Sequence, residues 1–217
     1  MNIVFALFDM VTQLDFTGPA QILSRLPNAT VHVAAKKVRP IQTDSGFSIN
    51  PSTSFNECPQ ADILCVPGGF GVPDAIEEGT IVEFFKRQAG GAKYITSVCT
   101  GAFILGAAGL LEGKRATTHW AYTDLLKDVG ARYTEGRVVV DGNTYTGGGV
   151  TAGIDFALML ASEVAGKQVS ASLELGFEYN PMPPNGSGHP SIAPDEIAGP
   201  MKDRYVENVG MMAKAIA

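Results

Sequence analysis

Four short runs rich in Val and Ile recur in this chain: Ile3 to Phe8, Thr30 to Ala35, Asp62 to Val66 and Tyr94 to Val98. Stretches of helical period lie between them. A strand with one wet face alternates apolar and polar residues, whereas near-continuous apolar runs suit strands covered on both faces. Strand and helix in alternation build βα units around a mostly parallel sheet, so we expect a doubly wound α/β protein with helices on both faces. Helices are expected near Gly18 to Leu26, Ile81 to Gln88 and Thr100 to Ala108, the last closing on Gly109 as a glycine C-cap.

Further along, Asp141-Gly142 between two β-prone runs in Arg137 to Thr146 reads as a hairpin. Gly147-Gly148-Gly149 leads into a largely apolar helix from Val150 to Val164, with Asp155 as its interior charge. Pro181 to Pro190 reads as a loop before a final helical stretch from about Asp195 to Ala217. At 217 residues the length fits one large domain or two small ones, and the unbroken βα pattern argues for one.

Composition removes several function classes. With 45% hydrophobic and 18% charged residues the chain can bury a substantial core and is not of the disordered type. A formal charge of -6 without any Lys/Arg block makes nucleic acid a poor partner. The apolar N-terminus, Met1 to Leu7, has no basic flank, and no run approaches the roughly 18 residues of a spanning helix, so a soluble cytoplasmic protein without membrane contact is expected. Cys58, Cys65 and Cys99 are odd in number and lack C-x-x-C spacing, which suits neither a disulfide framework nor a zinc cage. The scattered His32, His119 and His189 suggest structural roles and no metal site. His119 in A-T-T-H-W is a candidate helix cap, with a dyad to Cys99 as the alternative.

Cys99 stands apart because it lies where the strand Tyr94 to Val98 gives way to a helix beginning at Thr100. A side chain at such an elbow projects over the sheet edge, and the free N–H groups of a helix start favour an anion there. The pKa of a cysteine so placed can fall by one to several units from about 8.5, making a thiolate available. Cys65, inside an apolar strand, is expected to be core, and Cys58 lies in a loop without an activating neighbour.

Ligands of doubly wound sheets gather beyond the carboxyl ends of the strands. Asp15, on the connection after the first strand, reads equally as a helix cap or as an acid/base. Gly68 and Gly69, in V-P-G-G-F-G after the third strand, would let main-chain N–H groups approach a reacting atom as an oxyanion-type hole, although Pro-Gly-Gly is also an ordinary turn.

These strings resemble the ThiJ/PfpI superfamily, and within it the isocyanide hydratases. The likeness rests on Q-L-D-F-T-G-P around Asp15, I-L-C-V-P-G-G-F-G-V around Gly68 and Gly69, and T-S-V-C-T-G-A-F-I-L-G-A-A-G-L-L around Cys99. R-A-T-T-H-W-A-Y and T-G-G-G-V-T-A-G-I-D-F-A-L extend it nearly to the Pro-rich loop. The resemblance implies one flavodoxin-like, class-I glutamine-amidotransferase-like domain over residues 1–217, with 181–217 as a loop and helical extension. Many superfamily members carry His directly after the cysteine; Thr100 stands there in this chain, so a local Cys-His dyad is absent and peptidase-like activity is disfavoured.

By the same resemblance, Cys99 attacks the terminal carbon of an isocyanide while Asp15 supplies a proton. Water then converts the thioimidate to an N-substituted formamide. Gly68, Gly69, Thr100 and Val150 are implied around substrate and water, with no cofactor and a homodimeric assembly. The same strings occur in sensor domains of AraC-type regulators, which bind small molecules without turnover. The chain carries only one helical stretch after its Pro-rich loop, too little for the helix-turn-helix region that normally follows such a sensor. A redox protein that uses an oxidisable Cys99 is the third class.

Overall fold

The computed structural model describes residues 1–217. In chain order the strands are β1 (Asn2–Ala6), β2 (Thr30–Ala35), β3 (Ile41–Gln42), β4 (Ser48–Ile49), β5 (Thr53–Ser54), β6 (Ile63–Val66), β7 (Tyr94–Val98), β8 (Arg115–Ala116), β9 (Arg132–Tyr133), β10 (Val138–Asp141) and β11 (Thr144–Gly147). The helices are α1 (Gln13–Leu23), α2 (Val72–Glu78), α3 (Thr80–Ala89), α4 (Ala102–Ala107), α5 (Ala152–Ala165), α6 (Lys167–Gly176) and α7 (Asp195–Ala215), with 3-10 segments at Cys99–Gly101 and Trp120–Val129.

Seven strands form the central sheet in the order β10-β11-β7-β6-β1-β2-β5. All its pairings are parallel except β10 with β11. The inner order β2-β1-β6-β7-β11 is the flavodoxin-like doubly wound arrangement, and the chain reverses direction across the sheet between β1 and β6. The four apolar runs are β1, β2, β6 and β7, and all four residues of β6 are buried, as two-sided cover requires.

Each helix shows why its sequence folds there. In α3, Ile81, Val82, Phe84, Phe85 and Gln88 are buried along one face, while Lys86 and Arg87 lie in the last turn, where cations offset the helix dipole. Phe84 stacks on Phe55 with centroids 4.4 Å apart. Gly109 follows α4 in the left-handed region at φ +74°, and Leu110 N–H donates to Leu105 O at 2.9 Å, so the C-cap is realised.

Helix α1 begins at Gln13, well before the expected Gly18, because Gly18-Pro19 is not a boundary. Both residues lie inside the helix where it presses on α5. A Cβ on Gly18 would stand 3.2 Å from Ile154, and one on Gly153 would stand 3.2 Å from Pro19, so small residues set this close helix contact. The hairpin forms, but Asp141 pairs with Thr144, so its central residues are Gly142-Asn143, with Gly142 at φ +60°. Helix α5 starts at Ala152, and its Asp155 pairs with Arg137 and accepts from the Tyr179 hydroxyl at 3.0 Å. Helix α6 carries only a thin apolar seam, Val169 and Leu173 packed part-buried against the core, with Ser170 its one buried residue, so its sequence gives a weak helical signal. Helix α7 contains Gly199-Pro200, and Met212 is its one buried residue. No helix is long and apolar enough to cross a membrane.

Candidate active site

Three strand ends converge on one spot: β1 leads to Asp15, β6 to Gly68 and Gly69, and β7 to Cys99. Cys99 takes φ +56°, a left-handed conformation that typically costs a non-glycine residue about 1–3 kcal/mol. The surroundings hold it there. Thr118 Oγ1 donates to the Cys99 carbonyl at 2.7 Å. A Cβ on Gly101 would fall 2.6 Å from Val66 O, so only glycine lets the elbow press against the end of β6.

Asp15 is 1% exposed and lies in the first turn of α1, but it does not cap that helix. Its Oδ2 accepts from Gly68 N–H at 2.9 Å, and its Oδ1 is buried without a regular hydrogen-bond partner. The side chain that couples to it is the Cys99 thiol. Of the two readings of Asp15, the helix cap is therefore set aside.

Burial raises the Asp15 carboxyl to about 8, against the opposing pull of the Gly68 N–H and the Cys99 thiol. Burial also pushes the Cys99 thiol well above its ordinary value, and the Asp15 carboxylate pushes it further. The Thr100 N–H and hydroxyl act the other way and do not prevail. This corrects the expectation of a thiol acidified by a helix start. Cys99 opens a three-residue 3-10 turn and a six-residue α4, too short a dipole to offset burial beside a carboxylate. Two acids confined together do not readily both ionise, so they titrate as a pair that passes through a state holding one proton.

The glycines serve differently from an open oxyanion hole. Gly68 N–H is engaged by Asp15, and Gly69 N–H donates to Thr100 Oγ1 at 3.0 Å, so neither is a free donor. Their role is close approach. A Cβ on Gly68 would stand 2.6 Å from Thr100 N and 2.8 Å from Cys99 Cβ, and Gly69, at φ +144°, would bring one to 2.4 Å from Met10 O.

A cavity of about 130 Å³ opens over Cys99. Gly69, Thr100 and Val150 line it together with Thr12, Asp44, Phe70, His119, Tyr122 and Tyr205, whereas Gly68 and Asp15 lie outside its lining. Thr12 Oγ1 donates to Asp44 Oδ2 at 2.5 Å, which fixes a carboxylate in the wall. His119 caps the 3-10 segment by accepting from Ala121 N–H at 3.3 Å through Nδ1, and burial lowers it to about 4. At neutral pH its ring is uncharged and too weak a base to hold the Cys99 proton. Tyr205, at the far end of the chain, centres an aromatic cluster with His119 at 4.9 Å, Trp120 at 5.5 Å, Tyr122 at 6.0 Å and Phe70 at 6.2 Å. No local signal in the sequence marks Asp44 or Tyr205 for this site, whereas Phe70 and Tyr122 lie within V-P-G-G-F-G and R-A-T-T-H-W-A-Y.

The other cysteines behave as expected of bystanders. Burial pushes Cys65, inside β6, to about 12 and half-buried Cys58 to about 11. A larger cavity of about 420 Å³ around Lys36, Lys37 and Arg39 does not reach Cys99, and Lys36 and Arg39 are ion-paired to Glu78 and Asp9.

The sequence is similar to the isonitrile hydratase of Pseudomonas putida, at 49% identity over 204 residues, 94% of this chain and 90% of that one. It is also similar to the HTH-type transcriptional regulator GbdR of Pseudomonas aeruginosa at 25% identity, covering 97% of this chain but 59% of the regulator. The fold superposes on a ThiJ/PfpI family protein from Pseudomonas syringae with a TM-score of 0.96 and 36% identity, over 100% of this chain and 90% of that one. Drosophila melanogaster DJ-1beta, at 24% identity and a TM-score of 0.69 over 82% of this chain and 97% of its own, shares the fold. The sequence model of the DJ-1/PfpI family matches residues 1–163, and with a relative nearly half identical along almost the whole length, this chain belongs to the DJ-1/PfpI family.

Proposed function

We propose that this chain is an isonitrile hydratase, converting R–NC and water into the formamide R–NH–CHO. The observation that carries the reading is the buried Asp15–Cys99 pair, a soft nucleophile and a proton source held against each other. The terminal carbon of an isonitrile accepts a nucleophile and a proton at the same atom, which is what such a pair offers. The Asp44 carboxylate in the wall disfavours anionic substrates and suits a neutral one.

In the first step Cys99 sulfur bonds to the terminal carbon while the proton of the pair passes to that carbon. This gives the thioimidate R–N=CH–S–Cys99 and leaves Asp15 as carboxylate. Asp15 then takes a proton from water as the hydroxyl adds to the same carbon, with Gly69 and Thr100 as the nearest framework for orienting that water. The hydroxyl proton of the adduct moves to nitrogen as the C–S bond breaks, the formamide departs, and the released Cys99 thiolate beside protonated Asp15 restores the pair with its one proton. Only the elements of water are added, so the reading requires no cofactor.

The same reading takes residues 1–217 as one domain, extended by 181–217, acting as a homodimer in the cytoplasm. A monomeric mass by light scattering at micromolar concentration would contradict the dimer. The likeness to GbdR makes ligand sensing the competing class. A strained cysteine coupled to a buried acid is a reactive device that binding alone does not need. Incubation with methyl or cyclohexyl isonitrile should yield the corresponding formamide at a rate that scales with protein and vanishes in Cys99→Ala. No formamide from either substrate would remove the reading.

A further inference from the structure

The cavity over Cys99, at about 130 Å³, is much the smaller of two spaces that share a wall. A linear R–N–C group with its carbon at Cys99 directs R away from the sulfur, toward the aromatic wall.

Behind that wall lies a second cleft of about 540 Å³, between the Trp120–Val129 segment, the Pro-rich loop and α7. Trp120, Leu125, Pro190, Val206 and Val209 give it a mainly apolar lining. Tyr122 and Tyr205 belong to both spaces, so these two rings separate them. They are held differently. Tyr122 is 2% exposed and its hydroxyl donates to Asn208 Oδ1 at 2.7 Å, which makes it a fixed post. The Tyr205 hydroxyl has no hydrogen bond within the protein, and its ring is held by packing, against His119, Trp120, Tyr122 and Phe70 among others. A turn of the Tyr205 side chain therefore breaks no hydrogen bond and joins the two spaces.

We propose that the 540 Å³ cleft is the subsite for the N-substituent of bulky apolar isonitriles, and that Tyr205 is the partition that sets how large a substituent reaches Cys99. This rests on the isonitrile hydratase reading and adds its substrate class: aryl and large alkyl isonitriles, recognised by apolar contact. Helix α7, which carries Tyr205, lies beyond the residues matched by the family model, so size selection is an addition to the shared core.

The test is the ratio of kcat/KM for 2-naphthyl isonitrile to that for methyl isonitrile. Tyr205→Ala should raise this ratio about tenfold or more, and Val206→Trp, which fills the cleft from a position 63% exposed, should lower it by a similar factor. The exposed Val206 variant keeps the test decisive if Tyr205→Ala does not fold. A ratio that stays within about twofold of wild type in the folded variants overturns the proposal while methyl isonitrile turnover leaves the functional reading intact. If Val206→Trp leaves the ratio unchanged but alters the mass by light scattering, the cleft is an interface between copies of this chain and the proposal falls. Wild-type protein that turns over neither isonitrile overturns the reading and the subsite together.

Discussion

The Asp15 carboxylate raises the proton affinity of the Cys99 thiol, and the thiol in turn lowers that of the carboxyl, although the two arrive on different strand connections. The proposed activity depends on this coupling: nucleophile and acid are one titrating unit rather than two independent groups.

The pH profile follows from that unit. Burial holds the Asp15 carboxyl at about 8, with Cys99 higher still, so at lower pH both groups carry protons and no thiolate is present. As pH rises through about 8 the pair loses one proton and the reactive form accumulates. We expect kcat/KM to climb about tenfold per pH unit below that point and to level off above it. An acid limb near 4, the range of an ordinary carboxylate, would show that Asp15 is not held protonated.

Asp15→Asn separates stability from activity. A carboxyl whose folded pKa lies near 8, against about 3.9 unfolded, binds more protons folded than unfolded between those values, so the wild-type protein loses stability as pH rises from about 4 to about 8. The Asn variant lacks that loss and should melt higher than wild type at pH 8 but not at pH 4. Without the neighbouring carboxylate its Cys99 thiol should also ionise at lower pH, read by thiolate absorbance. Turnover should nevertheless fall by about 10²- to 10⁴-fold, the usual loss of an acid/base group. Retained turnover in a variant with a more acidic thiol would mean that nucleophilicity alone suffices.

Close approach at Gly68 is testable through a single methyl group. Gly68→Ala places Cβ against Thr100 N and Cys99 Cβ, so the elbow must shift by a fraction of an ångström or more. Misplacement on the scale of 1 Å commonly costs about 10²-fold in rate, which is the expected loss. Gly109→Ala also alters a glycine near α4, at φ +74° with open space around it. It should cost about 1 kcal/mol in stability and leave the rate near wild type. Equal rate losses in both variants would point to general damage.

What the sequence reveals here follows how local the controlling physics is. β1 and β6 fall within a residue or two of the expected runs because two-sided burial writes itself into unbroken apolar stretches, whereas β2, though bounded as expected, is mostly part-buried and carries Thr30 and His32. Gly18-Pro19 misled because a tertiary contact with Gly153 outweighs the helix-breaking signal. The elbow at Cys99 was legible from the strand-to-helix junction, and Asp15 from its place after β1. The direction of the Cys99 shift was not legible, because burial and the charge of a residue distant in sequence decide it. Asp44 and Tyr205 were invisible for the same reason: their place in the site is set by β-bridge and helix packing, with no motif of their own.

The central claim is that sulfur and proton add to one carbon at Cys99, and mass spectrometry of the rapidly quenched protein reads it directly. After mixing with cyclohexyl isonitrile, the peptide carrying Cys99 should gain the mass of one isonitrile, with Cys58 and Cys65 unmodified, and the adduct should decay as N-cyclohexylformamide appears. Formamide released at an undiminished rate by Cys99→Ala, or an adduct on Cys58 or Cys65 in place of Cys99, would contradict the account.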